Sequence, residues 1–296
     1  MSAFPLHLEL GDGPLVPYSP SRLQGNPRKK SEVSLITLKS RREIDLMRAA
    51  GEVVARAHAV ARNLIVAGMT TREIDAAVED FFRKEQVQSL FKGFPGKVTY
   101  PAVTCISINE QIVHGIPGER VLKEGDIVSL DTACRKAGWC GDAAWTYPVG
   151  NVSPEKQKLM EIGAESLNVV VAGLQTEKRW SGVARKIMTL VHGAKFSLVE
   201  QFVGHGIGRE MHEAPQVPNF VDRRVPSDDF EIRPGLVLAI EPMINAGTKE
   251  VKILSDHWTA VTRDGRPSVH FEHTIAMTTN GPEVLTAGVG NLAFGA

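Results

Sequence analysis

Two halves of the chain carry the same short landmarks in the same order, and this repeat limits the possible folds more than any other feature. The tripeptide VAG occurs at 66–68 and 171–173, each time before a predicted helix, and HGI occurs at 114–116 and 205–207. A shared order of landmarks is typical of a chain built from a duplicated unit.

The acidic residues follow the same repeat. In each half a glycine precedes an acid by six residues, with an apolar run between them, and a further acid follows. The sets are Gly125, Asp131 and Asp142 in the first half and Gly235, Glu241 and Glu272 in the second. We therefore predict an α+β domain whose halves, at about 40–150 and 151–290, are related by a pseudo-two-fold axis where the acids meet.

Four predicted helices flank these landmarks in two pairs. Capping boxes at Ser40–Glu43 and Thr70–Glu73 begin the first pair. Ser153 and Pro154 begin the third helix, and the fourth carries an apolar face that starts at Trp180. Short β-type runs follow each pair: YPAVTCISI, GDIVSLDTA and WCGDAAWTYPV in the first half, and FSLVEQFV, GLVLAIEPMI and HFEHTIAM in the second.

The segment GHGIGREMHE at 204–213 contains two histidines, His205 and His212. A spacing of seven would place both rings on one face of a helix. The three glycines at 204, 206 and 208 disfavour that helix by about 1 kcal/mol each relative to alanine. We predict a tight strand or loop that presents the imidazoles. His205 alone is either a metal ligand or a hydrogen-bonded core histidine.

Asp131 and Asp142 flank a predicted turn at 135–138. If the turn is centred between Lys136 and Ala137, the two acids lie directly opposite each other, with Cβ atoms about 5 Å apart. The apolar runs IVSLD and CGDAAW predict burial, and two buried carboxylates that face each other require a cation between them. The alternative is that both side chains point to solvent.

The repeat brings five potential metal ligands towards one axis: Asp131, Asp142, His205, Glu241 and Glu272. Four carboxylates carry too much charge for one ion but suit two divalent ions about 3.5–4 Å apart. The oxygen-rich set favours Mn, Fe, Co or Zn over Cu. Two such ions activate water and polarise a carbonyl, which is the chemistry of amide or ester hydrolysis. Considered singly, Glu241 and Glu272 could also be exposed strand residues.

Composition narrows the class of protein. The chain has 296 residues, a formal net charge of zero and no long basic stripe, so nucleic acid is not an expected partner. Its 3 cysteines form no CxxC pair, which favours a reducing compartment. The sequence shows neither an apolar run near 18 residues nor a signal peptide, so we expect a cytoplasmic protein without a membrane span.

Residues 1–38 differ from the remainder of the chain. They are rich in proline, glycine and polar residues and show no apolar period. We predict an extended arm or linker there, followed by a catalytic domain at 39–296. The arm contains a PxxP motif at Pro14–Pro17. This motif either docks as polyproline II on an aromatic groove or belongs to an unbound tail.

Six separated motifs resemble those of the type I methionine aminopeptidases. They are INEQIVHGIP, GDIVSLD, GWCGDAAW, GHGIGREMHEAPQV, AIEPMINAG and FEHTI, within a resemblance from about residue 40 to 287. The resemblance implies the pita-bread fold, a curved antiparallel sheet with helices outside. It also implies removal of the initiator methionine from nascent chains when the second residue is small, and an arm that contacts the ribosome.

The resemblance also implies a role for individual residues. The ligands of the two metal ions would be Asp131, Asp142, His205, Glu241 and Glu272, with Asp142 and Glu272 bridging the ions. Glu241 would also be the general base. His212 would stabilise the oxyanion, and His114 would contact the substrate near the scissile amide and assist proton transfer.

Some positions depart from the family pattern or match it loosely. Met211 stands where an aromatic residue is frequent, and His270 stands where relatives often have glutamine, which affects the surroundings of the metal site. Cys105 and Trp258 fall where pocket residues are expected, although either could be plain core. The loop FKGFPGKVTYPAVTC matches loosely and is expected to help line the same pocket.

Two other functions fit the same fold. One is a proline-directed peptidase of the prolidase or aminopeptidase P kind, which usually has a large additional N-terminal domain. The other is a non-catalytic binding protein, which typically lacks metal ligands, whereas all five positions are filled here. No long insertion separates His212 from Glu241, and this argues against the type II enzymes.

Overall fold

The computed structural model describes residues 35–221 and 229–290. Most of the predicted arm, including the PxxP motif, lies outside these residues, and residues 35–38 form neither helix nor strand. Among the described residues, no helix is both long enough and apolar enough to cross a bilayer.

All four predicted helices are present. They are α1 (Arg41–Arg62), α2 (Thr71–Lys84), α3 (Pro154–Thr176) and α4 (Trp180–Gly193). Both capping boxes form, and Ser153 caps α3 with Pro154 in its first turn, as predicted. The prediction for one landmark is wrong: VAG at 171–173 lies inside α3 and not before a helix. Gly173 is accommodated there, where α3 packs closely against Val183 of α4.

Within residues 35–221 and 229–290, fifteen strands form four antiparallel sheets. The first-half strands are β1 (Gln88–Ser89), β2 (Cys105–Ile108), β3 (Gln111–Val113), β4 (Ile127–Lys136) and β5 (Trp139–Pro148). The second-half strands are β6 (Ser197–Leu198), β7 (Gly204–Gly206), β8 (Glu213–Val217), β9 (Val237–Ile240), β10 (Met243–Asn245), β11 (Val251–Ile253), β12 (Ala260–Thr262), β13 (Ser268–His270), β14 (His273–Thr278) and β15 (Gly281–Val284). The described chain is thus an α+β structure with the predicted antiparallel sheet content.

The first hairpin, β4–β5, carries Asp131 and Asp142. Its turn consists of Ala137 and Gly138, which both have positive φ angles, 50° and 80°. This two-residue turn shifts the pairing from the predicted one, so that Asp131 lies opposite Ala144 and Asp142 opposite Ala133. The prediction that the two aspartates lie directly opposite is therefore wrong. They are diagonal neighbours on the same face of the hairpin, a spacing at which carboxylates still interact.

The second hairpin is built from interrupted strands. β9 pairs with β14 and β10 pairs with β13, and both ladders keep one register: Ile240 lies opposite His273, and Met243 opposite His270. In this register Glu241 lies opposite Glu272, at the point where both strands are interrupted. The two glutamates therefore occupy one break in the ladder, as the two aspartates share one face of the first hairpin.

Hydrogen bonds join the two hairpins side by side. The Thr274 hydroxyl accepts from Asp142 N at 3.1 Å and donates to Asp142 O at 2.8 Å. Glu272 N donates to Ala144 O at 2.7 Å. The central strands of the two halves thus lie against each other, and this contact brings the aspartates and the glutamates together.

The helices cover these hairpins. α1 packs on β4 and β5, and α3 packs on β10, β13 and β15. The buried face of α1 includes Ile44, Met47 and Val54, whereas Asp45 and Glu52 are exposed. This amphipathic arrangement fixes the hairpins from outside and leaves their other face available for a site.

Candidate metal centre and adjoining pocket

Three strands and two strand ends supply the five predicted ligands. Asp131 lies on β4, Asp142 on β5 and His205 on β7, while Glu241 follows β9 and Glu272 precedes β14. Ligand atoms of Asp142, His205 and Glu272 lie within 4.8 Å of one another. The structure therefore brings residues 63 to 130 positions apart into one possible metal-binding group.

Glu241 lies beside this group. Its Oε1 is 3.6 Å from His205 Nε2, and its Oε2 is 3.6 Å from His270 Nε2. These separations exceed hydrogen-bonding distance, so the atoms face one another without being bonded.

Burial raises the pKa of all four carboxyl groups, and neighbouring carboxylates raise that of three of them further. Burial raises the pKa of Asp142 to about 7. The pKa values of Asp131, Glu241 and Glu272 stand well above the ordinary range, first because of burial and then because of neighbouring carboxylates. Asp131 responds to both Asp142 and Glu241, which places it within the same electrostatic cluster. A site that disfavours its own negative charges is suited to a cation.

Unpartnered atoms point to the same conclusion. Asp131 Oδ1, Asp142 Oδ1 and Glu272 Oε1 are buried and accept no hydrogen bond from the described residues. Buried polar atoms in folded proteins are normally hydrogen-bonded, so orphaned oxygens in one cluster need another partner. Oxygen and imidazole donors fit divalent Mn, Fe, Co or Zn. The residues present therefore fit a metal centre.

The backbone fixes the ring of His205. Its Nδ1 lies 3.0 Å from Gly206 O. Burial and the neighbouring His212 lower the pKa of His205 to about 3, so the neutral ring donates Nδ1–H to that carbonyl. The lone pair of Nε2 then faces Glu241, which is the orientation of a metal-ligating histidine.

The residues on either side of His205 are glycines because a larger side chain would not fit there. A Cβ atom at Gly204 would lie 2.4 Å from Ala239 O, and one at Gly206 would lie 2.2 Å from Ala214 O. β7 is held between β8 and β9 at these two points. The predicted tight strand is confirmed, and the glycines allow the neighbouring strands to approach the His205 backbone.

His212 meets His205 through a turn instead of a helix. The chain reverses after β7, and the ring of His212 lies 4.4 Å from that of His205, measured between centroids. The ring of Phe94 stands edge-on to His212 at 5.6 Å. His212 is thus beside the ligand cluster without belonging to the group around Asp142.

His114 is the second histidine that the sequence predicts to bind substrate. It follows β3 with a φ angle of 59°, and its ring packs edge-on against Phe202 and Trp258. Partial burial and then nearby His212 lower the pKa of His114 to about 4, so the ring is neutral near pH 7. The two predicted substrate-binding histidines therefore border the same space.

An apolar side-chain cluster adjoins the carboxylates. Its buried members are Phe91, Tyr100, Ala102, Cys105, Ala133 and Met211, and Leu90, Phe94, Ile116 and Trp258 pack against them. Cys105 pairs directly with Asp131 across β2 and β4. The apolar cluster and the carboxylates therefore share one face of this sheet. Burial and the Asp131 carboxylate raise the pKa of Cys105, so its thiol is neutral and the cluster carries no charge there.

The structure places Cys105, Met211 and Trp258 in one apolar cluster, and it adds residues that the sequence indicated only as a loop. Tyr100 fixes that loop, because its hydroxyl lies 3.0 Å from both Thr104 O and Gly115 O and its single proton is shared between these two acceptors. Trp258 Nε1 donates to Val98 O at 2.8 Å. The aromatic residues of FKGFPGKVTY were the available signal for this wall.

His270 has a closer relation to the site than its sequence position suggested. It is 2% exposed, and its Nε2 is directed at Glu241 without a hydrogen-bond partner among the described residues. The departure from the family pattern at this position therefore lies next to a predicted ligand.

Comparison with known proteins agrees with this geometry. Residues 45–279 match the sequence model of metallopeptidase family M24. Methionine aminopeptidase 1 of Bacillus subtilis is 44% identical over 252 residues, which cover 85% of this chain and 99% of that protein. The chain belongs to the methionine aminopeptidases of metallopeptidase family M24.

Solved structures extend the comparison within and beyond the methionine aminopeptidases. The methionine aminopeptidase of Thermotoga maritima is 41% identical, with a TM-score of 0.80 over 85% of this chain and 99% of that one. The prolidase of Pyrococcus furiosus has a TM-score of 0.66 at 21% identity, over 84% of this chain and 65% of that one. The latter shows the shared fold alone. The predicted pita-bread fold and family are confirmed.

Proposed function

We propose that this methionine aminopeptidase hydrolyses the bond after the N-terminal methionine of nascent proteins whose second residue is small. The observation that supports it most is the junction of two features on one face of a sheet. Orphaned buried carboxylate oxygens lie on one side, and on the other lies an apolar cluster of aromatic and sulfur-containing side chains, which we propose to be the wall of a methionine pocket. A metallopeptidase site needs both features.

The metal centre is proposed to hold two divalent ions of Co, Mn, Fe or Zn. The ligands would be Asp131, Asp142, His205, Glu241 and Glu272, with Asp142 and Glu272 bridging. The charge of four carboxylates supports two ions over one. When bound, the ions would activate a water nucleophile and polarise the scissile carbonyl.

The side chains around the centre would perform the remaining steps. Glu241 would accept the proton of the attacking water as general base. His212 would donate a hydrogen bond to the oxygen that becomes negatively charged in the tetrahedral transition state. His114 would contact the substrate near the scissile amide and assist proton transfer to the departing amine. Its neutral form near pH 7 is compatible with that role.

The pocket would provide specificity for methionine. Cys105, Met211 and Trp258, with the aromatic rings of Phe91 and Tyr100, offer an apolar, polarisable wall for a thioether side chain. Beyond the pocket, Phe202 and Trp258 pack edge-on against His114 and crowd the space next to it. This crowding supports a preference for a small second residue.

The partners would be the N-termini of nascent chains, and the ribosome through the arm at 1–38. A cytoplasmic location follows from this proposal. Deletion of residues 1–38 should reduce cosedimentation with ribosomes. Unchanged cosedimentation would overturn the proposal for the arm.

The decisive experiment is methionine release from Met-Ala-Ser by the chelator-treated protein, before and after addition of Co, Mn, Fe or Zn in turn. Release that requires a metal ion, together with two ions bound per chain by calorimetry, would support the proposal. Two comparison peptides, one with a bulky second residue and one Xaa-Pro dipeptide, test specificity. Cleavage confined to the Xaa-Pro dipeptide would indicate a proline-directed peptidase, and no cleavage with any ion would indicate a binding protein.

A further inference from the structure

Lys39 is a buried lysine that the proposed mechanism does not use. Its side chain is 2% exposed, its Nζ lies 2.6 Å from Glu213 Oε2, and the same ammonium donates to Thr37 O at 3.0 Å. Lysine is rarely buried unless it is paired. Its position at the start of the predicted catalytic domain gives no local reason for the burial.

The partner of Lys39 is the residue that follows His212. Glu213 begins β8, and its Oε1 accepts a hydrogen bond from Glu210 N at 3.2 Å. One carboxylate therefore holds both ends of the segment 210–213, which carries His212. Lys39 is the cation that holds this carboxylate in place.

Lys39 is itself fixed to the sheet beneath the site. Its backbone N donates to Gly235 O at 2.7 Å, and Gly235 N donates to Met277 O at 2.8 Å. Gly235 leads into β9, which pairs with β7 at His205. The ammonium is thus anchored to the same framework that holds the metal-ligating strands.

Other contacts hold the earlier part of the same loop. Cys140 N donates to Gly208 O at 2.9 Å, and the Arg209 guanidinium lies 4.4 Å from the centre of the Trp139 ring. These contacts restrain residues 208 and 209. The Lys39–Glu213 ion pair acts at the other end of the loop, adjacent in sequence to His212.

We infer that Lys39 is a positioning residue for catalysis, which keeps His212 aligned with the developing oxyanion through Glu213. This inference rests on the role proposed above for His212. Removing one member of a buried ion pair leaves an uncompensated charge, so the segment would move towards solvent to hydrate Glu213. A displacement of about 1 Å of a catalytic group can reduce the rate about 10²-fold.

The test is a double-mutant cycle between Lys39→Met and His212→Ala, measured with metal-loaded protein on Met-Ala-Ser. Lys39→Met should lower kcat about 10- to 100-fold and leave KM within about threefold, because the defect concerns the transition state. Lys39→Arg should restore most of the rate. In the His212→Ala background, Lys39→Met should have no further effect.

A matched control is Lys249→Met, which breaks an ion pair of the same length, 2.6 Å, between exposed Lys249 and Glu200. It should leave kcat unchanged. Glu213→Gln provides a second route to the same defect, and it replaces Lys39→Met if that variant does not fold. A kcat loss in Glu213→Gln that disappears in the His212→Ala background supports the inference.

Two results would overturn it. One is a wild-type kcat in Lys39→Met or in Glu213→Gln. The other is losses that multiply in the double variant, which would mean that Lys39 acts independently of His212. If His212→Ala alone retains full activity, the proposed role of His212 fails first, and the cycle distinguishes that failure from a failure of the ion pair.

Discussion

Replacing Asp142 by asparagine should stabilise the metal-free protein while abolishing metal binding. Asp142 is buried among like charges, and its pKa is raised from 3.8 to about 7. This rise corresponds to about 4 kcal/mol by which the fold disfavours the ionised side chain. Asn is a neutral isostere, so the variant avoids that cost without losing the backbone hydrogen bonds to Thr274.

The expected gain in stability of Asp142→Asn increases with pH. Because the pKa of Asp142 is higher in the folded chain, the folded chain binds more protons between pH 3.8 and 7, and wild-type stability falls as pH rises through that window. The advantage of Asp142→Asn should therefore be largest at pH 7 and above, at most about 4 kcal/mol. It should fall to less than half of that at pH 5 and vanish below pH 4.

Urea unfolding of chelator-treated protein measures the gain in stability of Asp142→Asn. Calorimetric titration with Co or Mn measures its loss of metal binding. With metal present the wild-type chain should be more stable than Asp142→Asn, because only the wild-type chain gains the free energy of metal binding. Asp45→Asn, which alters an exposed carboxylate on α1, is the control and should change stability by less than about 0.5 kcal/mol. A metal-free Asp142→Asn variant that is less stable than wild type at pH 8 would refute the reasoning.

Three further predictions concern the surroundings of the site. Gly206→Ala should place a methyl group against Ala214 O, displace His205 and weaken metal binding, which a chelator competition would detect; unchanged affinity would contradict the steric account. His58, buried beside Tyr147, has its pKa lowered to about 4 by burial, so its protonation destabilises the fold as pH falls from about 6.5 to 4, by at most about 3 kcal/mol. The stability difference between wild type and His58→Gln should therefore shrink between pH 7 and 5 in urea titrations, and a constant difference would argue against a neutral His58. His270→Ala should lower metal affinity about 10- to 100-fold by removing the group that faces Glu241, and metal binding at the wild-type level would rule this out.

The helices could be predicted because their start signals and apolar faces are formed by residues close together in the sequence. Ser40–Glu43 and Thr70–Glu73 close capping boxes within one turn, and the apolar face of α4 repeats at helical spacing. The apolar runs around Asp131 and Asp142 and the turn between them identified a buried hairpin, although the register was wrong. The error came from the turn: Ala137 adopts a left-handed conformation that alanine rarely takes, so a two-residue loop was not expected there.

The contacts between distant segments could not be predicted from spacing. Glu241 and Glu272 face each other only because two interrupted ladders keep one register across the break. Lys39 and Glu213 are 174 residues apart, and neither belongs to a motif. His270 was recognised as a departure from the family pattern, but its distance to Glu241 is a property of the second hairpin. The composition of the site followed from the motifs, whereas its supporting contacts required the fold.

The way the two hairpins meet explains how the chain tolerates a cluster of like charges in its interior. Regular ladder pairing stops at Glu241 and Glu272, which frees these residues from strand geometry. The lost ladder bonds are replaced by contacts with β5, since Glu272 N donates to Ala144 O and the Thr274 hydroxyl bonds both backbone groups of Asp142. The backbone is thus satisfied while the carboxylate oxygens remain unpartnered. The unfavourable charge of the site is thus carried by the ionisable side chains, which are the groups that a bound cation would contact.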